Sequence, residues 1–225
     1  MNLRCVNDIP RDCSTNIALD EVFFTKENFE DIFRFYRWTG PAYTIGYFQK
    51  FPSARTDNYS VVRRLTGGLS VLHNTDLSYS LIVSDKIWPY IYNQEATYKI
   101  IHENIRKSLE KINIFCDKTI IETDNTKNYS CVQTLYKDDL LLNGKKIVGS
   151  CQRRRGKKIL VEGSIHLKFT QEETNSFTSE FFKNLSNSLK CNTINKDLTK
   201  EEIDLAAKLC TDKYNTDKWN KLFNL

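Results

Sequence analysis

A two-residue turn joins two strand-like runs in the second half of the chain. Asn143 ends the run 138–143 ("DDLLLN"), and Gly144 links it to the run 145–154 ("KKIVGSCQRR"). The dipeptide Asn143-Gly144 is typical of a tight hairpin between antiparallel strands. A third strand-like run, 158–169 ("KILVEGSIHLKF"), follows after a short connection. Three neighbouring runs with short links predict a series of antiparallel strands.

Other segments alternate apolar and polar side chains in the same way, or show the three- and four-residue apolar spacing of a helix. The predicted helices begin with 14–26, which we expect Ser14 or Thr15 to cap. The remaining predicted strands are 31–38, 42–49, 60–65, 69–74, 77–84 and 119–123, and the remaining predicted helices are 93–114, 171–190 and 199–214.

The pattern as a whole predicts an α+β protein, with mainly antiparallel strands and helices packed on them. A chain of 225 residues suits one domain, so we expect a single catalytic domain over residues 1–225. We expect residues 193–225 to form a C-terminal helical tail, with no accessory domain.

The net charge and the spacing of the cysteines limit the classes of protein to which this chain can belong. The net charge of +5 is compatible with an acidic protein partner but is too small to indicate nucleic acid. The seven cysteines include no C-x-x-C pair, and no two of the three histidines have metal-ligand spacing. We therefore expect no disulfide framework and no metal. Without an apolar leader or a long apolar run, we expect a cytoplasmic protein that does not enter a membrane.

Paired glycines next to paired arginines form the first candidate site, at 63–68 ("RRLTGG"). Gly67 and Gly68 permit a turn that a substrate can approach closely, and its backbone N–H groups can hold an anion. Arg63 and Arg64 alternate in a strand, so one of them is expected to face a ligand. A hairpin turn with solvated arginines explains the same residues. His73 is the one histidine that lies close to this motif, whereas His102 is predicted to lie on a helix surface.

The second candidate site is the segment that follows the hairpin. Lys145 and Lys146 are neighbours in a strand, so one is expected to point to solvent and the other inward. An inward lysine close to Gly149 and Ser150 can bind a phosphate or polarise an acyl carbonyl. A basic hairpin with a solvated face is the alternative.

Cys131 is the third candidate, because it lies in a polar segment before a strand. A cysteine with a lowered pKa can act as a nucleophile there, and an inert thiol is the alternative.

In their order and spacing, these segments resemble the lipoate–protein ligase and octanoyltransferase family. The resemblance is carried by "STNIALDE", "RFYRWTGPAYTIGYFQ", "VVRRLTGGLSVLHNTDLSYSLIV", "CVQTLYKDDLLLNGKKIVGSCQRR" and "EGSIHL". It covers about residues 1–170. It implies a mixed sheet flanked by helices, as in biotin and lipoyl ligases.

The resemblance also implies roles for individual residues. Lys146 corresponds to the lysine that contacts the activated acyl carbonyl, and Cys131 stands where one class of octanoyltransferase has its nucleophile. The acyl tunnel is implied to be formed by the two motifs and the later Gly-Ser pair, which here are Arg63, Arg64, Thr66, Gly67, Gly68, Leu69, His73, Gly149, Ser150, Gly163 and Ser164. Leu69 replaces a common third glycine, and Glu162 replaces a usual histidine.

The activity that this implies is transfer of an octanoyl or lipoyl group to a lysine of an acceptor protein through a thioester at Cys131. The donor is an acyl carrier protein or a lipoyl domain, and the acceptor is the glycine-cleavage H protein or a 2-oxoacid dehydrogenase E2 lipoyl domain. This reaction needs no cofactor, and we expect a monomer. The alternative is an ATP-dependent lipoate–protein ligase, which uses ATP, Mg²⁺ and lipoate. A non-catalytic relative that binds a lipoyl domain is a further alternative.

Overall fold

The computed structural model describes residues 1–26, 30–51, 59–119 and 135–222. The strands are β1 (Asn2–Asn7), β2 (Ile32–Tyr36), β3 (Ala42–Ile45), β4 (Ser60–Arg63), β5 (Val71–His73), β6 (Leu77–Ser84), β7 (Asp117–Lys118), β8 (Leu140–Leu142), β9 (Lys145–Arg155), β10 (Lys158–Ile165) and β11 (Asn192–Asn195). The helices are α1 (Cys13–Thr25), α2 (Gln94–Glu110), α3 (Gln171–Leu189), α4 (Lys200–Leu209) and α5 (Asp217–Asn220), with a π-helical turn over Cys210–Tyr214.

The described strands form two sheets. The larger has the order β11-β1-β2-β6-β10-β9-β8-β7, and the smaller has the order β4-β3-β5. The pairs from β2 through β6, β10, β9 and β8 to β7 are antiparallel, whereas β1 is parallel to β2 and to β11. The prediction of an α+β fold with a mainly antiparallel sheet is confirmed.

Helices cover both faces of the large sheet. Ile101 of α2 and Phe181 of α3 share one core with Phe33 of β2 and Val161 of β10. On the other face, α1 packs its apolar side chains against β2, β6 and β10 in a second core, which also includes Val62 of the small sheet. The small sheet and α1 therefore stand on the same face of the large sheet, and the cavity described below lies on that face.

The hairpin between β8 and β9 confirms the prediction from Asn143-Gly144. Both residues have positive φ angles, 51° and 73°, as a tight hairpin turn requires. Just beyond the turn, Leu141 pairs with Lys146 while Leu140 pairs with Val148, so Ile147 is an extra residue in β9. Such a β-bulge changes the face on which the preceding side chain lies. The bulge in β9 places the side chain of Lys146 on the same face of the strand as Gly149.

Some local predictions were wrong. Asp12, and not Ser14 or Thr15, caps α1, because its Oδ1 accepts a hydrogen bond from the Thr15 N–H at 3.0 Å. The strand β1 was not predicted, and the expected helical tail begins instead inside β11, which pairs with β1. Most of the strand predicted over 119–123 lies outside the described residues.

Candidate active site

A cavity lies between β9 and β10 of the large sheet, the small sheet and α1. Apolar parts of its wall come from Ile17, Trp38 and Val71. The residues that the sequence predicted and that line this cavity are Arg64, His73, Lys146, Gly149, Ser150, Gly163 and Ser164.

Lys146 is the buried member of the lysine pair, as the strand alternation predicted, and Lys145 is exposed. The Nζ of Lys146 lies 2.6 Å from Oδ2 of Asp139, which also accepts a hydrogen bond from the Tyr136 N–H at 2.8 Å. A Cβ atom at Gly149 would lie 2.6 Å from Cε of Lys146. The glycine therefore provides the space in which the lysine side chain lies.

The buried side chain of Arg64 stabilises the glycine turn through hydrogen bonds. Its guanidinium donates five hydrogen bonds, which go to the Thr44 carbonyl and hydroxyl, the Thr66 hydroxyl and the carbonyls of Gly67 and Leu69. Gly68 has a φ angle of 83°, and a Cβ there would lie 3.2 Å from Nη2 of Arg64. Gly68 thus allows the backbone to turn around a buried charge.

The Arg63 side chain points in the opposite direction from that of Arg64. It donates to the carbonyls of Gly46, Tyr47 and Gln49, and to those of Trp219 and Asn220 at the C-terminal side of the chain. Its guanidinium joins two segments of backbone and is turned away from the cavity.

His73 belongs to a buried network at one end of the cavity. Its Nδ1 lies 2.8 Å from Oδ2 of Asp76, and its ring stacks on Trp38 with 4.1 Å between centroids. The same carboxylate accepts hydrogen bonds from the hydroxyls of Ser78 and Ser164. Burial opposes ionisation of Asp76, but the His73 ring, the Ser164 hydroxyl and His166 outweigh it and hold the pKa of Asp76 well below its usual range.

His102 is buried, so the prediction of a surface position was wrong. Its Nδ1 donates to the Asp138 carbonyl at 2.7 Å, and its Nε2 accepts from the Ser150 hydroxyl at 2.7 Å. Burial lowers the pKa of His102, which favours the neutral ring that this pairing needs. The helical pattern could not predict the role of His102, because both of its hydrogen-bond partners come from segments that are distant in sequence.

Gly163 makes room for a second partner of Ser150. A Cβ at Gly163 would lie 2.2 Å from the ring of Tyr79, whose hydroxyl lies 2.5 Å from Oγ of Ser150. Tyr79, Ser150 and His102 therefore form a continuous hydrogen-bonded chain beneath the site.

A more polar cleft adjoins the cavity. It is lined by Gly67, Gly68 and Leu69 of the glycine turn, and by Tyr98 of α2 and Asp139. The residues common to the cavity and the cleft are Ser150 and Cys151. Lys146 lines the cavity and its partner Asp139 lines the cleft, so the ion pair stands where the two meet.

Cys151 and Glu162 are among the residues of the cavity wall that were not predicted as site residues. Cys151 follows Ser150 in β9, and its Sγ lies 2.9 Å from Oγ1 of Thr66. Glu162 faces Cys151 across the β9–β10 pair and accepts a hydrogen bond from the same threonine. Strand alternation could have placed both beside Gly149 and Ser164. The predicted nucleophile Cys131 lies outside the described residues.

No group of three or more His, Cys, Asp and Glu side chains is arranged in the described ranges to hold a metal ion. None of the helices in these ranges is long and apolar enough to cross a membrane.

The fold and the site define an α+β domain in which a mostly apolar cavity adjoins a polar cleft. The sequence profile of the lipoyl protein ligase A/B catalytic domain matches residues 12–200. The chain therefore belongs to this family.

Curated relatives are octanoyltransferases. Octanoyltransferase LipM of Oceanobacillus iheyensis is 30% identical over 176 residues, an alignment that covers 74% of this chain and 64% of the relative. This chain therefore spans less than two thirds of that relative. Octanoyltransferase LipM of Brevibacillus brevis is 27% identical over 257 residues, with 91% of this chain and 93% of the relative covered.

Solved structures with the same fold are lipoate–protein ligases. Lipoate-protein ligase A bound with ATP has a TM-score of 0.78 at 20% identity, with 99% of this chain and 100% of that chain covered. A bi-partite lipoate protein ligase of Thermoplasma acidophilum, studied together with its E2 lipoyl domain, has a TM-score of 0.74 at 19% identity, with 99% and 97% covered. At these identities the likeness establishes the fold.

Proposed function

We propose that this protein is an acyltransferase of lipoate metabolism, which moves an octanoyl or lipoyl group from a carrier protein to a lysine of an acceptor protein. The observation that carries the proposal is the position of Lys146, a buried cation at the junction of an apolar cavity and a polar cleft. An acyl chain in the cavity would present its carbonyl to this ammonium group. The octanoyltransferase relatives support this choice of acyl group.

The reaction proceeds in two acyl transfers. The thiolate of Cys131 attacks the carbonyl of the donor thioester, the carrier thiolate leaves, and an acyl-enzyme thioester forms. The amine of the acceptor lysine then attacks this thioester, loses a proton and displaces the Cys131 thiolate. The ammonium of Lys146 stabilises the oxyanion in both steps, and Asp139 holds it in place. A thioester is replaced by an amide, so no ATP is consumed.

The donor that we propose is an acyl carrier protein, and the acceptor is a lipoyl-domain protein such as the glycine-cleavage H protein or a dehydrogenase E2. The net charge of +5 favours an acidic carrier. The structural neighbour studied with its E2 lipoyl domain supports the class of acceptor. We propose that the enzyme acts as a cytoplasmic monomer.

The polar cleft favours a second candidate, an ATP-dependent lipoate–protein ligase. A nucleotide in the cleft would bring an activated lipoyl carbonyl to the same Lys146, and one structural neighbour was solved with ATP. This reaction would need ATP, Mg²⁺ and lipoate, and it would not need Cys131. A non-catalytic lipoyl-domain-binding protein would show turnover under neither condition.

The intact mass of the protein after incubation with octanoyl–acyl carrier protein, without ATP, separates these functions. We expect one octanoyl adduct that hydroxylamine removes and that Cys131→Ala abolishes. Cys151→Ala is the necessary rival variant, because Cys151 is a thiol in the cavity wall, and it should retain the adduct. Cys116→Ala, a partly buried cysteine outside the cavity, is the control.

Three other outcomes would contradict transfer through Cys131. An adduct that persists in Cys131→Ala and disappears in Cys151→Ala would move the nucleophile to β9. No adduct without ATP, followed by acylation of a lipoyl domain when ATP, Mg²⁺ and lipoate are added, would establish the ligase instead. No acylation under either condition would leave the binding function.

A further inference from the structure

Glu162 is a buried acid in the wall of the proposed acyl cavity. Its side chain lines the cavity, and the residue is 4% exposed. The Thr66 hydroxyl donates a hydrogen bond to Oε2, whereas Oε1 has no hydrogen-bond partner among the described residues. A carboxylate oxygen without a partner is costly to bury in its ionised form.

The charged neighbours do not form an ion pair with Glu162 within the described part of the chain. Asp20 is paired with Arg34 at 3.2 Å and accepts a hydrogen bond from Ser80 at 2.6 Å, so both charges of that pair are already matched. The titratable and charged groups that face Glu162 are Asp20 of α1, Arg34 and Tyr36 of β2, Arg64 after β4, Cys151 of β9 and Tyr214 of the π-helical turn.

The strand register places Glu162 beside the chain of a bound acyl group. Lys146 lies over Gly149, which pairs with Ser164, and Glu162 is two residues from Ser164 along β10. Two residues of a strand span about 7 Å. An octanoyl group whose carbonyl contacts Lys146 is long enough to pass Glu162 with its later methylene groups.

We propose that Glu162 is a specificity-determining residue of the acyl cavity, and that an aliphatic chain binds only when this carboxyl group is protonated. The inference rests on the proposed function, because it takes the cavity to be the acyl site. Methylene groups cannot donate a hydrogen bond to Oε1 and they displace water from it. The bound chain therefore favours the neutral acid, and binding is coupled to uptake of a proton.

The ionisation of the free protein places this coupling near neutral pH. Burial, and the negative charge of Asp20, raise the pKa of Glu162 to about 7, against the opposing effects of Arg64 and of hydrogen bonding by Thr66. Burial raises the pKa of Asp20 to about 6, against the opposing effect of its ion pair with Arg34. Burial keeps the pKa values of Tyr36 and Tyr214 above their usual range, so neither phenol ionises there.

Calorimetric titration with octanamide tests the coupling, because this probe is neutral throughout the range from pH 6 to pH 9. The full-length protein is titrated in pairs of buffers with different ionisation enthalpies, which report the protons taken up on binding. We expect uptake that approaches one proton per octanamide above the pKa of Glu162, with affinity falling by up to about tenfold per pH unit.

Glu162→Gln is the decisive variant, since it is nearly isosteric, neutral and still able to accept from Thr66. We expect it to bind octanamide without this proton uptake and with an affinity that does not fall above neutral pH. Glu180→Gln, on α3 and outside the cavity, should behave as the wild type.

Two results would overturn the inference. If wild-type protein binds octanamide without proton uptake, or Glu162→Gln keeps the wild-type uptake, then Glu162 is not the coupled group although the acyl cavity stands. If octanamide binds neither protein at any pH, the acyl cavity itself is refuted, and the proposed function fails together with the inference.

Discussion

At the scale of single residues, Lys146 has the central role in the proposed reaction. A β-bulge directs it into the site, Gly149 leaves the space for it, and Asp139 orients its ammonium group. Each of these three contributions comes from a different feature of the sequence: an extra residue, an absent side chain and an acid just before β8.

Replacement of this lysine tests its role directly. Lys146→Ala should lower kcat/KM for octanoyl transfer by about 100-fold to 1000-fold, the usual effect of removing a group that stabilises an oxyanion. Lys145→Ala is the matched control, because the neighbouring side chain is exposed on the opposite face. Rates for Lys146→Ala within a few-fold of the wild type, measured with octanoyl–acyl carrier protein, would contradict the assigned role.

The paired glycines provide a second test at the scale of single residues. Gly68→Ala should lower the free energy of unfolding by about 1–2 kcal/mol, since alanine resists a φ angle of 83°. A Cβ at Gly67 meets nothing within 4 Å and its φ angle is not positive, so Gly67→Ala should be neutral or slightly stabilising. Urea unfolding of both variants decides this, and equal losses would remove the conformational explanation.

At the scale of the element, the helix α3 has a complete N-terminal cap. The hydroxyl of Thr170 accepts from the Glu173 N–H at 3.1 Å, and the Glu173 carboxylate accepts from the Thr170 N–H at 2.7 Å. Two backbone donors at the start of the helix are thereby satisfied.

Loss of this cap should affect stability without affecting catalysis. Thr170→Ala should lower the free energy of unfolding by about 1 kcal/mol. Octanoyl transfer should be unchanged, because α3 covers the face of the large sheet opposite the cavity. Ser179→Ala, an exposed position later in α3, serves as the control for urea unfolding. A drop in transfer rate with unchanged stability would show that α3 has a direct role in the site.

The strands and the hairpin also show how much of the fold could be predicted from the sequence. The strands of the antiparallel centre and the hairpin at Asn143-Gly144 carry local patterns, and they were predicted. The pairing of β1 with β11 joins Asn2 to Asn192, which no local pattern reveals. The same limit applies to the site. Alternation predicted that one of two lysines is buried, but the choice of face depends on a bulge defined by the partner strand.

At the scale of the whole molecule, Arg63 ties distant parts of the chain together. From β4, its side chain donates to carbonyl oxygens of the segment 46–49 and of the helix α5. Arg64 performs the same task for the glycine turn on the other side of the strand. The adjacent arginines thus organise opposite sides of the small sheet.

The contribution of Arg63 can be measured across the molecule. Arg63→Met should lower the free energy of unfolding by about 3 kcal/mol or more, because several buried carbonyls lose their donor. Hydrogen exchange should accelerate at both 46–49 and 217–222. Arg155→Met, at the exposed last residue of β9, should change neither. Loss of protection in one segment alone would show that the two are not joined through this side chain.

The hydrogen-bonded chain from Tyr79 through Ser150 to His102 has an evolutionary consequence. Gly163 and Tyr79 form a pair in which the missing side chain of one admits the ring of the other, and His102 takes the remaining hydrogen bond of the same serine. A change at one of these positions removes a steric or hydrogen-bonding partner from the others. Positions 79, 102, 150 and 163 should therefore covary among relatives, although they lie on four separate segments of the chain.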